Sequence, residues 1–178
     1  MPDAHADDAR FRDALAGLHH GDFSRLEPLF HAGEDGRVPI VAWHAAGRFR
    51  DEPAALAEAL TCACFLGRTE VAAHLLAHGV DPASGAATGL DALHWAANRG
   101  QAEAVRLLLR HGAPFGTRNM YGGDALEAAI WSVLHEPRPG QLAAIEALLD
   151  AGARLDARYP LPIGHDALDA LLGRYGPG

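Results

Sequence analysis

The feature that most constrains this chain is an internal repeat. Residues Gly89 to Asn119 read GLDALHWAANRGQAEAVRLLLRHGAPFGTRN. Asp91 stands where a helix N-cap is expected, and Leu93, Ala96 and Ala97 recur behind it at helical spacing until Gly100 breaks the pattern. A second helix carries Val105, Leu108 and Leu109 on one face, and Gly112 occupies the usual C-terminal glycine position. Neither helix is long enough to be stable alone, and each has a single apolar stripe to bury. Such a unit needs a copy of itself alongside. Shifted forward by about 33 residues, Gly89, Asp91, Ala92, Leu93 and Ala96 fall on Gly122, Asp124, Ala125, Leu126 and Ala129. Shifted back, Leu93, Gly100, Glu103, Leu108, Leu109, His111 and Gly112 fall on Leu60, Gly67, Glu70, Leu75, Leu76, His78 and Gly79.

With these residues the sequence resembles the ankyrin-repeat family. Asp91-Ala92-Leu93-His94 stands where that family usually has Thr-Pro-Leu-His, followed by Ala96-Ala97, Gly100, Leu108-Leu109 and Gly112-Ala113. Asp replaces Thr as a cap, and Ala replaces Pro in the first turn. The resemblance implies an all-α fold, an ankyrin-repeat solenoid of about four to five helix-turn-helix repeats with degenerate ends and two insertions.

Taken in order, residues 1–9 are expected to be a disordered tail, and 10–178 a single domain. Its repeats run about 10–33, 54–86, 87–119 and 120–158, with a partial cap over 159–178. In the first repeat a helix from about Arg10 to His20 precedes one from Phe23 to Ala32, with Leu26, Leu29 and Phe30 inward. Residues 34–53 exceed the period. Their apolar run, Val38 to Ala46, is open between a helix and an ordered loop, and between a flap over the first repeat and a binding loop. The second insertion, His135 to Gln141, holds Pro137 and Pro139 and reads as a loop. A closing helix is expected over Asp166–Leu172, echoing Asp91-Ala92-Leu93.

Composition narrows the partners. The net charge is −8, which argues against nucleic acid or an anionic membrane. Arg supplies all 15 basic residues, a compositional hint of a GC-rich, bacterial genome. The start, MPDAHADDAR, is no secretory signal, and no apolar run approaches the ~20 residues of a membrane span. Cys62 and Cys64 lie on different faces of one helix and read as small buried hydrophobes. A cytoplasmic monomer is expected.

No catalytic pattern stands out: there is no nucleophile elbow, Walker loop, dinucleotide fingerprint or H-E-x-x-H. No catalytic residue, metal ligand or cofactor is expected. His74 and His78 have metal-ligand spacing on one helix. However, His78 matches His111 before a stopping glycine, where a histidine caps free carbonyls, and His74 matches the packed Leu107. His19 and His20 read as caps for the same reason. In relatives the signature histidine, here His94, serves a structural hydrogen-bond network. Asp91, Asp124 and Asp166 recur in register and read as helix caps. Trp95 reads as core.

The resemblance further implies binding through hairpin tips and the exposed face of each first helix, which line a concave groove. The residues mapped there are Phe65, Leu66, Leu90, Asn98, Arg99, Met120, Tyr121, Trp131 and Ser132. Phe65, Leu66, Leu90, Met120, Tyr121 and Trp131 are apolar where solvated positions should be polar, which marks an interaction surface unless the insertions cover it. The expected function is therefore non-enzymatic recognition of another protein. The alternative is a small-molecule binder or enzyme, with a pocket walled by residues 131–140 and lined by His94, Arg99, Tyr121 and Trp131.

Overall fold

The computed structural model describes residues 4–157, 159 and 161–176. Ten α-helices and no strand occur among them. In chain order they are α1 (Ala4–His20), α2 (Phe23–Leu26), α3 (Pro39–Ala45), α4 (Pro53–Phe65), α5 (Thr69–Ala77), α6 (Ala92–Asn98), α7 (Ala102–Arg110), α8 (Ala125–His135), α9 (Gln141–Asp150) and α10 (Asp166–Gly173), with a 3₁₀ turn over Glu27–Phe30 after α2. The repeat is visible in the helices: Thr69 and Ala77, the ends of α5, fall on Ala102 and Arg110, the ends of α7. The chain divides into two compact units, Met1–Ala92 and Leu93–Gly178.

The first unit is built around α4, on which α1 and α5 pack. Pro53 opens α4 at a first-turn position that needs no amide donor. From Ala55 to Cys64 only Leu56 escapes full burial. This helix is buried nearly all round, and its small side chains let the backbone of the following turn segment lie directly on it. A Cβ on Gly85 would stand 2.6 Å from the Ala57 carbonyl. Thr61 Oγ1 donates to the Gly85 carbonyl at 3.0 Å, and the Ala87 amide donates to Glu58 Oε1 at 2.8 Å. Both cysteines are free and buried. Burial, aided by Asp91, pushes the Cys64 thiol up to about 12.

Two expectations are corrected here. The tail over residues 1–9 is helical from Ala4 onward, residues 1–3 lying outside the described residues. The reason is the first insertion. Its apolar run forms α3, with Ile40 and Trp43 buried, and the Trp43 indole donates to Asp7 at 3.1 Å. Arg48 bridges Asp7 at 2.6 Å and Asp8 at 2.7 Å, and its guanidinium lies 4.2 Å from the Phe11 ring centre. Phe11 meets Trp43 and Phe49 edge to face at 5.2 and 5.1 Å. The insertion is thus a flap over the first helix. Second, the helix expected over Phe23–Ala32 ends at Leu26 and continues as the 3₁₀ turn, because Pro28 has no amide to donate. Leu26, Leu29 and Phe30 are buried as expected.

In the second unit α9 packs on both α7 and α8, and α10 packs on α9. Alternation on α7 places Ala104, Val105, Leu107 and Leu108 inward and Glu103 and Arg110 in solvent. Trp95, expected in the core, is half-buried. The second insertion is a loop between α8 and α9, as Pro137 and Pro139 require. It is held at a backbone-to-backbone contact of two glycines. Gly100 and Gly140 both have positive φ (73° and 82°), and a Cβ on Gly140 would stand 2.3 Å from the Gly100 carbonyl oxygen. Only glycine fits either position.

Asp124 caps α8 as expected. Its carboxylate accepts from the Glu127 amide at 2.9 Å while Glu127 accepts from the Asp124 amide at 3.0 Å, a complete capping box. Asp166 does not cap. α10 starts one residue earlier than the repeat register, at Asp166 itself, so His165 takes the cap position and its Nδ1 accepts from the Leu168 amide.

Candidate protein-binding surface

The candidate surface in the second unit is built from a hairpin tip and a helix face. The tip spans Asn119 to Gly123. Asn119 Oδ1 accepts from the Tyr121 and Gly123 amides at 2.9 and 3.1 Å, and the Asn119 amide donates to the Gly123 carbonyl at 2.8 Å. Arg118 Nη1 reaches both the Gly122 carbonyl, at 3.1 Å, and the buried Glu127 carboxylate, at 2.6 Å. His94, the signature histidine, is buried and contacts the Gly123 carbonyl through Nε2 at 3.3 Å. This is the structural role the resemblance implies for it. The tip is therefore held from three sides, and it displays Met120 and Tyr121, 66% and 80% exposed.

The helix face belongs to α8. Trp131 is 52% exposed and its ring lies against His135 at 4.8 Å between centroids. Leu134, one turn from it, is also exposed. All six large apolar side chains exposed among the described residues, Met120, Tyr121, Trp131, Leu134, Tyr159 and Leu161, lie in the second unit. An apolar side chain left in water forgoes about 25 cal/mol for each Å² it would bury, so these six are the side chains that would gain most from contact with a partner. The second insertion does not cover Trp131.

Other mapped residues are placed differently. Phe65, Leu66 and Leu90 of the first unit are half-buried, and Phe65 packs against Phe23 at 5.7 Å. Asn98 and Arg99 are half-buried at the end of α6. Burial and the neighbouring Arg138 pull the Arg99 guanidinium below its ordinary value, and Glu136 opposes them. Ser132 is corrected: it is fully buried and cannot meet a partner. Its hydroxyl donates to the Asn98 carbonyl at 2.9 Å and accepts from Gln141 Nε2 at 2.8 Å. The pocket imagined from His94, Arg99, Tyr121 and Trp131 does not form, since His94 is buried against a carbonyl while Tyr121 stands four-fifths in solvent.

Sequence reasoning saw two members of one cluster and missed the third. His44 of α3 meets His74 and His78 of α5 in the first unit, with His44 Nδ1 and His74 Nε2 3.1 Å apart. Burial, with the charge of His78 adding to it, holds His44 and His74 below the ordinary imidazole value. The His74–His78 spacing was legible; His44 lies 30 residues away inside the aperiodic insertion, where no pattern pointed to it.

The family model for ankyrin repeats (three copies) matches residues 60–159. The solved structure of EF0377, an ankyrin repeat protein, is similar over 92% of this chain and 97% of its own, at 19% identity and a TM-score of 0.52. That likeness speaks for the fold alone. No curated protein matches the chain. Among the described residues no helix is long and apolar enough to cross a membrane. Repeating helix pairs with shared glycine stops, the His94 tie to the next hairpin and a family match over more than half the sequence lead to one conclusion: the chain belongs to the ankyrin-repeat family.

Proposed function

We propose that this protein is a non-enzymatic interaction module that takes a partner protein through the Met120–Tyr121 hairpin tip and the Trp131 face of α8. Ankyrin repeats are in general protein–protein interaction modules. The observation that carries the reading is the exposure of Met120 and Tyr121 on a tip held by Asn119, Arg118 and His94, together with the exposure of Trp131 and Leu134 on α8 of the same unit. A rigid tip loses little conformational entropy on docking, and buried aromatic anchors supply most of the energy of typical interfaces.

The test compares wild type with the Tyr121→Ala/Trp131→Ala double variant in capture from a lysate of the source cell, read by mass spectrometry. A protein retained by wild type and lost by the variant, with circular dichroism unchanged, is the expected result. Each anchor should cost about 2 kcal/mol or more, roughly a thirtyfold weaker Kd. Equal capture by both proteins would move the binding face elsewhere, and an unfolded variant would make these residues core.

A further inference from the structure

The first unit carries a site that the repeat architecture does not need. In α7 the position matching His74 is Leu107, which is buried. At that position α5 has an imidazole, half-exposed, which faces a second imidazole from the insertion helix α3. The ring centres of His44 lie 5.2 Å from His74 and 5.4 Å from His78, and those of His74 and His78 lie 4.2 Å apart. One ring nitrogen from each of the three lies within 4.8 Å of the other two. The His44–His74 contact, of hydrogen-bond length, brings both rings beside the capping His78, so three imidazoles meet where α3 packs on α5.

We propose that His44, His74 and His78 form a binding site for a divalent transition-metal ion of the zinc class, which would clamp the insertion helix α3 to α5. Three imidazoles suit Zn²⁺, Cu²⁺ and Ni²⁺ rather than the oxygen-seeking Ca²⁺ or Mg²⁺. With metal–nitrogen bonds of about 2.0–2.1 Å, tetrahedral ligands stand about 3.4 Å apart. The 3.1 Å between His44 and His74 is close to this, and with the three nitrogens all within 4.8 Å of one another the exposed His78 ring is the one that would have to shift to complete the site. His78 Nδ1 lies 2.7 Å from the His74 carbonyl, to which it donates. That bond fixes the tautomer and turns the lone pair of Nε2 outward, the arrangement metal-binding histidines usually have. The capping role expected for His78 and the ligand role are thus compatible, since they use opposite nitrogens. Water would complete the coordination on the solvent side.

The experiment titrates the full chain, freed of any histidine tag, with ZnCl₂ against a chromophoric chelator. One equivalent of zinc is expected, with a rise in Tm that saturates at the same ratio. His44→Gln and His78→Gln should each weaken zinc by about tenfold or more, with circular dichroism unchanged. His111→Gln, at the matching cap of α7, should leave zinc affinity as in wild type. Failure to compete with the chelator would overturn the proposal. Zinc binding unaffected by His44→Gln would also overturn it, since the metal would then sit on the His74–His78 pair alone. If substitution of His44 disturbs folding, His78→Gln decides, because its ring is exposed and its loss leaves the core intact.

Discussion

Gln141→Leu should detach the second insertion from the repeat that carries it. Gln141 opens α9 and is 2% exposed. Its Nε2 lies 2.8 Å from Ser132 Oγ, 3.1 Å from the Asn98 carbonyl and 3.2 Å from the Glu136 carbonyl, while its Oε1 accepts from the Arg138 amide at 2.8 Å. Two amide hydrogens serve three acceptors, so two full bonds are given and one is accepted. Leucine keeps the volume and removes all three. The Asn98 carbonyl keeps its bond from Ser132, and the exposed loop around Arg138 admits water. The loss is then two to three bonds at about 1 kcal/mol each, or about 2–3 kcal/mol. For a chain of this length that lowers Tm by about 4–12 °C. Urea unfolding followed by circular dichroism measures it, and a Ser132→Ala/Gln141→Leu cycle should show coupling of about 1 kcal/mol. A Tm within a degree of wild type, or a cycle with no coupling, would refute the view that this amide holds the insertion in place.

Three further outcomes are expected. Asp124→Ala should cost about 1 kcal/mol through loss of the capping box, whereas Asp166→Ala, which removes no cap, should be near neutral in the same denaturation assay. Burial raises the Glu58 carboxyl above its ordinary 4.5, against the Ala87 amide and His19, so the folded state favours its protonated form. That contribution is complete below about pH 4.5 and is lost as pH rises through the raised value. The stability of Glu58→Gln relative to wild type should therefore improve from pH 4 to pH 8, and a flat difference would contradict this. With the Cys64 thiol pushed up to about 12 by burial, and Cys62 raised further by burial beside Cys64 and Glu58, a disulfide reagent should find neither thiol in the native protein and both in denaturant.

Much of the fold was legible because it is local and repeated. Leu60, Leu93 and Leu126 mark one position three times, and the same packing problem is solved by the same residues each time. Helix limits followed from Gly67, Gly100, Pro137 and Pro139, whose backbone constraints act without reference to distant chain. The candidate surface was legible in part. The period set the positions of Met120, Tyr121 and Trp131 at a hairpin tip and an outer helix face, and only the folded chain decided that the insertions leave them exposed. Ser132 sits beside Trp131 in sequence yet is buried, because it bonds to the Asn98 carbonyl and to Gln141 at the start of α9, partners that lie 34 and 9 residues away.

What the sequence determined by itself is the class of fold: periodic apolar stripes too short to stand alone must stack, and the period names the stack. What only tertiary structure decided lies in the two aperiodic segments. Whether α3 is a flap, why the chain is already helical at Ala4, and that His44 meets His74 and His78 all depend on which surface the insertion reaches. A repeat encodes its own neighbour in its spacing. An insertion does not, because its contacts are long-range and its residues follow the surface they land on.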